Sequence, residues 1–78
     1  MNGTITRVIG AKGFGFIRGE ESKSEFFFHK DDCVDNFDEM AYAVETGQQV
    51  DVTFDSVPSP KGPRAANVTR IDNTVIRD

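Results

Sequence analysis

The sequence predicts a small all-β protein in which five antiparallel strands close into a barrel. Its 78 residues, 37% hydrophobic and 28% charged, are typical of a single globular domain. Short runs of β-branched and aromatic residues alternate with turn residues, which is the pattern of a small all-β domain. A single segment has helical spacing, and one short helix cannot cover an open sheet. We therefore expect a barrel rather than a helix-covered sheet.

Three strands are predicted in the first part of the chain. Residues 3–9 are rich in Thr, Ile and Val, whose branched side chains favour a first strand. The turn at residues 10–13 contains two glycines and leads into a second strand over residues 14–18. The polar segment 19–24 predicts a hairpin loop, and the aromatic segment 25–30 predicts the third strand.

One short helix is predicted over residues 36–45, in the loop between the third and fourth strands. Asn36 and Glu39 have the spacing of an N-terminal capping box, and Gly47 supplies a stop. Apolar side chains recur at the i, i+3, i+4 and i+7 positions of one helix face. These are Phe37, Met40, Ala41 and Val44.

The last two strands flank a proline-rich loop. Residues 50–54 alternate between apolar and polar side chains, as a half-buried strand does. Residues 56–64 contain three prolines and predict a loop, and residues 65–71 predict the last strand. The domain is assigned to residues 1–72, followed by a short C-terminal tail at 73–78. The strand count fits the OB-fold, which binds oligonucleotides on its second and third strands.

The aromatic residues of the second and third strands divide between two faces, because successive side chains in a strand point to opposite sides. Phe14 and Phe16 share one face of the second strand, and Phe27 and His29 share one face of the third. A small domain has one core, so one of the two faces must meet something else. The face assigned to the core carries Ile17, Phe26 and Phe28.

Flat rings beside cations suit unstacked nucleic-acid bases and their phosphates. The rings of Phe14, Phe16 and Phe27 lie close in sequence to Lys12 and Lys30. The alternative for these rings is an ordinary core stripe, but the opposite face is already apolar. We therefore predict base stacking on this face.

The net charge of −4 opposes nucleic-acid binding, but the charges are unevenly distributed. Residues 1–19 contain three bases and no acid, whereas residues 31–45 contain six acids and no base. A basic sheet face with an acidic flank is therefore expected. The acidic bias should weaken binding that depends on phosphates alone.

Several classes of function are disfavoured by the sequence. Cys33 is the only cysteine and His29 the only histidine, so neither a disulfide nor a zinc site with cysteine and histidine ligands is expected. No apolar run approaches the length of about 20 residues that spans a bilayer. The N-terminus lacks the features of a signal peptide. We expect a cytoplasmic protein that uses no metal and no cofactor.

The chain resembles the cold-shock domain family over nearly its whole length. Residues 12–17, Lys-Gly-Phe-Gly-Phe-Ile, look like the first ribonucleoprotein-type motif of the family, and residues 26–29, Phe-Phe-Phe-His, look like the second. Residues 47–50 match the start of its fourth strand, and residues 60–68 match its last loop and strand. The resemblance implies an OB-fold barrel that binds single-stranded RNA and DNA, commonly as an RNA chaperone or transcription antiterminator. Members are often acidic overall.

The resemblance also implies roles for individual residues. Phe14, Phe16, Phe27 and His29 would stack on bases, and Phe37 corresponds to an aromatic residue of the long loop after the third strand. Basic side chains would lie near the nucleic-acid backbone. The basic residues assigned to the site are Arg7, Lys12, Lys30, Lys61 and Arg64.

Two departures from the family pattern bear on affinity. Arg7 stands where the family has a stacking Trp, and Lys30 stands where an aromatic residue usually follows the histidine. Each base-stacking ring contributes about 1–3 kcal/mol to binding, so these exchanges lower affinity unless the cations compensate. An arginine plane can itself stack on a base.

The sequence leaves three alternatives to an OB-fold that binds single strands: a protein-docking face, an RNA-recognition-motif fold and an enzyme. An exposed aromatic face could instead dock a protein partner or a second copy of the chain, although a monomer is expected. The segment 12–17 also fits an RNA-recognition motif, but that fold needs two helices and the opposite motif order. Catalysis by His29 with Cys33 lacks an orienting group and an oxyanion site, so no enzymatic activity is expected.

Overall fold

The computed structural model describes residues 1–21, 23–60 and 62–71, which form a closed five-stranded barrel. Around the barrel the strands follow the order β1-β2-β3-β5-β4. A short α-helix, α1, connects β3 to β4, and single 3-10 turns follow β1 and β3. The strands are β1 (Asn2–Ile9), β2 (Phe14–Gly19), β3 (Glu25–His29), β4 (Asp51–Val57) and β5 (Arg64–Arg70), and α1 spans Phe37–Glu45. The predicted five-stranded OB-type barrel with one helix is confirmed.

The barrel is mixed rather than wholly antiparallel, which corrects one part of the prediction. Four strand pairs are antiparallel, but β3 and β5 run in the same direction where Phe27 pairs with Arg64. A closed ring with an odd number of strands cannot alternate direction at every pair. One parallel pair is therefore a geometric necessity of five-stranded closure.

Strand boundaries depart from the prediction mainly between β4 and β5. Val57 pairs with Arg64 and Ser56 pairs with Ala65, so both strands extend into the predicted loop. Cross-strand hydrogen bonds thus override the weak local propensity of this segment. At the end of β3, Lys30 belongs to the 3-10 turn Lys30–Asp32 rather than to the strand. The predicted tail at 73–78 lies outside the described residues.

A β-bulge in β1 turns Arg7 to the outside of the barrel. Ile5 pairs with Ile17 in the core, but the next pair joins Arg7 to Phe16, so that Thr6 is the extra residue. In a regular strand Arg7 would share the inward face of Ile5. The bulge reverses this alternation, so the exposed side chain of Arg7 shares the outer face with that of its register partner Phe16.

The core fills the barrel and the space beneath α1. Ile17 and Phe28 are fully buried, as the face assignment predicted, and α1 adds Phe37, Met40 and Ala41. Asn36 caps α1 by accepting hydrogen bonds from the amides of Asp38 (2.9 Å) and Glu39 (3.3 Å). The predicted helix is therefore confirmed, although it begins at Phe37, one residue later than predicted. Its buried side also includes Ala43, whereas Val44, predicted on the inner face, is only half-buried.

Close packing between β1, β2 and β3 requires glycine at position 15. A Cβ atom there would lie 2.6 Å from the carbonyl oxygen of Arg7 and 2.9 Å from the ring of Phe28. The ring of Phe28 therefore lies over Gly15 and seals this part of the core.

Within the described residues, no helix is long and apolar enough to cross a membrane.

Candidate nucleic-acid interface

Three phenylalanine rings form one contiguous cluster on the outside of β2 and β3. The ring centroids of Phe14 and Phe27 are 5.5 Å apart, and Phe16 lies 5.9 Å from Phe27 and 6.1 Å from Phe14. Cross-strand register produces the cluster, since Phe16 pairs with Phe27 and Phe14 pairs with His29. We call these four residues the outer aromatic face. The structure brings together all four side chains that the sequence assigned to this face.

The rings of this face are partly open to solvent. Phe27 is 37% exposed, and Phe14 and Phe16 are half-buried against one another. Edge-to-face contacts near 6 Å are favourable geometries for neighbouring rings, so the cluster is pre-arranged without being covered. A flat partner can therefore add to the cluster with little rearrangement.

Backbone contacts at the end of β3 fix the position of His29. Its Nδ1 accepts a hydrogen bond from the amide of Asp31 at 3.2 Å, and its own amide donates to Asp32 Oδ2 at 2.9 Å. In the neutral imidazole, a hydrogen bond accepted at Nδ1 places the proton on Nε2. The Asp31 carboxylate lies 3.5 Å from the same Nδ1 and attracts the ring only when His29 is protonated. The imidazole thus lies beside Phe14 with a fixed attachment to the turn.

Cations border the outer aromatic face on two sides. Arg7 pairs with Phe16 from β1, and Lys12 belongs to the turn that leads into β2. The side chain of Lys30 crosses Gly13, where a Cβ atom would meet its Cδ at 3.2 Å. Across residues 1–21, 23–60 and 62–71, no carboxylate forms an ion pair with Arg7, Lys12 or Lys30. Their charges are therefore available to an anion.

Comparison with known proteins identifies the family. The family model of the 'Cold-shock' DNA-binding domain matches residues 1–71. The chain belongs to the cold-shock domain family. It is 40% identical over 67 residues to cold shock protein 1 of Lactiplantibacillus plantarum, which covers 86% of this chain and 92% of the relative. Cold shock-like protein CspB of Bacillus cereus is 37% identical over 71 residues, covering 91% of this chain and all of the relative.

A third relative provides a similar match. The cold shock-like protein of Aquifex aeolicus is 37% identical over 69 residues, covering 87% of this chain and 90% of the relative. These matches confirm the resemblance that the two aromatic motifs predicted. Membership of the cold-shock domain family implies a nucleic-acid-binding protein.

Phe37 is placed in the core of this cold-shock domain, which contradicts its predicted position on the binding surface. Its side chain is 7% exposed, and its ring lies 6.1 Å from that of Phe28. The helix explains the difference, because Phe37 begins the apolar face that α1 packs against the barrel. We therefore remove Phe37 from the candidate site. The predicted binding residue Lys61 lies outside the described residues.

Arg64 forms an ion pair with a carboxylate, unlike the described cations Arg7, Lys12 and Lys30. Its Nε donates to Asp32 Oδ2 at 3.1 Å, and its Nη2 lies 3.0 Å from both carboxylate oxygens. Asp32 comes from the turn after β3, so the pair joins β3 to β5 across the parallel strand contact. The sequence did not predict this pair, because the two residues are far apart in the chain.

A hollow of about 410 Å³ adjoins the outer aromatic face and was also missed from the sequence. Phe16 and Phe27 form one side, and the loop between β4 and β5 forms the other. The described lining residues on that side are Ser59, Gly62 and Pro63 of the loop and Arg64 at the start of β5. The signal that could have found it is the proline-rich loop itself, which the OB-fold brings next to the third strand.

Cys33 shows no sign of nucleophilic activation in this cold-shock domain. Burial, together with repulsion from Asp32 and Asp35, raises the pKa of Cys33 to about 11. The thiol is therefore protonated at neutral pH, and thiolate is the reactive form. Among the residues that the structure describes, no three His, Cys, Asp or Glu side chains are grouped as metal ligands.

Proposed function

We propose that the protein binds single-stranded RNA or DNA by stacking bases on the outer aromatic face. The observation that carries this proposal is the contrast between the two sides of β2 and β3. Ile17, Phe26 and Phe28 already fill the core, yet Phe14, Phe16 and Phe27 form a second ring cluster outside it. Base stacking on exposed rings contributes about 1–3 kcal/mol per base.

The cations beside the rings would contact the nucleic-acid backbone. Arg7, Lys12 and Lys30 lie on or beside β1–β3 without carboxylate partners in the described part of the chain. The guanidinium of Arg7 can also stack on a base where the family has an indole. Arg64 borders the far side of the face at the start of β5, where Asp32 neutralises it, so we propose a contact with a base for it rather than with the backbone. Lys61 belongs to the proposed set but lies outside the described residues.

The acidity of the chain is compatible with this proposal because several acids have local structural roles. Asp32 binds Arg64, and Asp35 accepts a hydrogen bond from the amide of Arg70 at 2.7 Å. Asp38 and Glu39 lie in the first turn of α1, where negative charge stabilises a helix. The net charge of −4 therefore does not describe the charge at the rings.

In the cell, we propose that the protein acts without catalysis as an RNA chaperone or as a regulator of transcription or translation. Stacking holds unpaired strands and so opposes their secondary structure. It reads little sequence, because every base has a flat face. We propose a monomer in the cytoplasm. An RNA hydrolysis assay should show no turnover.

A fluorescence-anisotropy titration tests the proposed function. Labelled oligothymidine and oligouridine of about seven nucleotides fit the known range of OB-fold site sizes. We expect binding that weakens about tenfold or more in Phe16→Ala and Phe27→Ala, since each removes one stacking ring. Tyr42→Ala is the matched control, because Tyr42 is 67% exposed on α1 and takes no part in the ring contacts of the outer aromatic face.

Two results would contradict stacking as the mechanism. Equal affinity in all three variants, with a steep dependence on salt, would mean that phosphate contacts dominate. A lack of binding, together with a dimer on size-exclusion chromatography, would favour the alternative that this face self-associates. The exposed ring of Phe27 makes that alternative physically reasonable.

A further inference from the structure

We propose that the hollow between the outer aromatic face and the β4–β5 loop takes one nucleobase, that Arg64 selects guanine over adenine there, and that Asp32 positions Arg64 for this selection. This inference rests on the proposed function and adds a specific position to an otherwise tolerant site. It also adds Asp32, which no sequence argument placed in the interface.

The dimensions and lining of the hollow suit one base. Its volume of about 410 Å³ falls at the small end of the range for small-ligand sites. Phe16, Phe27 and Pro63 provide apolar walls on which a base can stack, and Arg64 provides hydrogen-bond donors at the edge of the hollow. Unstacked bases bind on surfaces of this kind, with their faces on apolar groups and their edges on hydrogen-bond donors.

The pairing of Arg64 with Asp32 determines which part of a nucleotide it can bind. A carboxylate 3.0 Å from Nη2 neutralises the guanidinium and would repel a phosphate. The Asp32 side chain is 12% exposed, so solvent screens this interaction only in part. Arg64 is therefore suited to donate hydrogen bonds to a neutral base rather than to attract the backbone.

The geometry of the pair leaves one edge of the guanidinium for the base. Nε and Nη2 both donate to the Asp32 carboxylate, so the side edge of the guanidinium, which carries these two nitrogens, is occupied. An arginine carries five N–H groups, and those on the end edge belong to Nη1 and Nη2. Within the described part of the chain, Nη1 has no acceptor. The end edge of the guanidinium is thus a fork of two parallel donors, one on Nη1 and one on Nη2, that a base can bind.

Two parallel donors favour guanine among the purines. Guanine presents two adjacent acceptors, O6 and N7, whereas adenine presents N7 beside the N6 amino group, which is a donor. A donor facing a donor leaves both without a partner. A single-ring base with one carbonyl acceptor would fall between the two purines.

Asp32 fixes this fork relative to the rings. The same carboxylate oxygen that binds Arg64 Nε also accepts the amide hydrogen of His29 at 2.9 Å. One side chain therefore links the end of β3, which carries Phe27 and His29, to the first residue of β5. Holding a long arginine side chain in one orientation reduces the entropy lost when a base binds.

The experiment moves a single guanine through every position of the seven-nucleotide oligothymidine. The same series is made with adenine, inosine and 7-deazaguanine, and affinities are measured by anisotropy. We expect one position at which guanine binds about tenfold more tightly than adenine. At that position inosine, which keeps O6 and N7, should match guanine, and 7-deazaguanine, which lacks N7, should lose most of the advantage.

Variants assign the preference to residues. Arg64→Lys keeps the charge but removes the fork, and should reduce the guanine-to-adenine ratio to about one. Asp32→Asn should reduce the ratio several-fold and steepen the salt dependence by about one phosphate contact, because a released Arg64 reaches the backbone. Asp35→Asn is the matched control, since it makes the same charge change in the same acidic segment without touching Arg64.

Three outcomes would overturn the inference. These are normal oligothymidine binding with no guanine-preferring position, a preference that survives in Arg64→Lys, and equal affinity for guanine and 7-deazaguanine. A preference that is lost in Arg64→Lys but unchanged in Asp32→Asn would overturn the role of Asp32. Failure of the proposed function would look different, because no oligonucleotide would bind or Phe16→Ala would have no effect.

Discussion

The two faces of β2 and β3 carry the same residue type but differ in what covers the rings. On the inner face Phe28 is fully buried over Gly15, and Phe26 lies 4.9 Å from the ring of Phe54. On the outer face Phe27, between them in sequence, is 37% exposed. Burial, not residue type, separates the rings that stabilise the fold from the rings for which we propose base binding. The following predictions test that separation, from the largest effect to the smallest.

Phe28→Ala should lower the free energy of unfolding by about 3–5 kcal/mol, because it removes a buried ring and leaves a cavity. Urea denaturation followed by circular dichroism measures the change. Because a domain of this size has limited stability, the variant is measured at low temperature or with a stabilising osmolyte. A loss below about 1 kcal/mol would mean that the inner face is less tightly packed than the structure shows.

Gly15→Ala should lower the free energy of unfolding by about 1–3 kcal/mol, as overpacked cores do. The new methyl group would collide with the Phe28 ring and with the backbone carbonyl of Arg7, which is not free to move aside. Thermal unfolding measures the loss. Gly47→Ala provides a comparison, since a Cβ there meets no atom within 4 Å and only the positive φ of 90° opposes it.

Arg7→Trp should strengthen binding of oligothymidine about tenfold, because it adds a stacking ring beside Phe16. The slope of log affinity against log salt should become shallower by about 0.7, the value for one phosphate contact on a single strand. Arg7→Gln removes the charge without adding a ring and serves as the control. Equal affinities for the wild type and Arg7→Trp would show that the arginine plane already stacks as well as an indole.

Phe27→Ala should change the free energy of unfolding by less than about 1 kcal/mol while weakening oligonucleotide binding. Its ring contacts Phe14 and Phe16 but lies outside the core. Urea denaturation and anisotropy on the same preparation separate the two effects. A large loss of stability would show that the outer rings also stabilise the fold, and it would contradict the separation of roles between the two faces.

Strand alternation made the two faces predictable from the sequence. The period of two is a local property, so the assignment of Phe14, Phe16 and Phe27 to one face followed from their spacing and was confirmed. The helix was predictable for a similar reason, since Asn36 and the apolar spacing act within one segment. Local patterns of this kind predict the structure well, because they do not depend on contacts between distant segments.

Features that depend on distant contacts were not predictable in the same way. The ion pair of Arg64 with Asp32 and the hollow beside it arise when the barrel closes. Phe37 was misplaced because the resemblance assigned it to a loop, whereas α1 turns it into the core. The bulge in β1 has a weak signal, the polar pair Thr6 and Arg7 inside an otherwise alternating strand.

The single parallel contact between β3 and β5 has a consequence for the dynamics of the barrel. Between the two strands the seam consists of one register pair, Phe27 with Arg64, and of the hydrogen bond from the Phe27 amide to the Pro63 carbonyl (3.3 Å). After β3, a bridge of Cys33 with Val68 and the hydrogen bond from the Val34 amide to the Val68 carbonyl (2.8 Å) continue it. Its closure joins segments that are distant in the chain, so it should form last in folding and open first in native-state hydrogen exchange. A single strand lying across Phe27 and Arg64 would span the seam. Bound nucleic acid would then slow hydrogen exchange at the Phe27 amide, because it would oppose the local opening of the barrel at this seam.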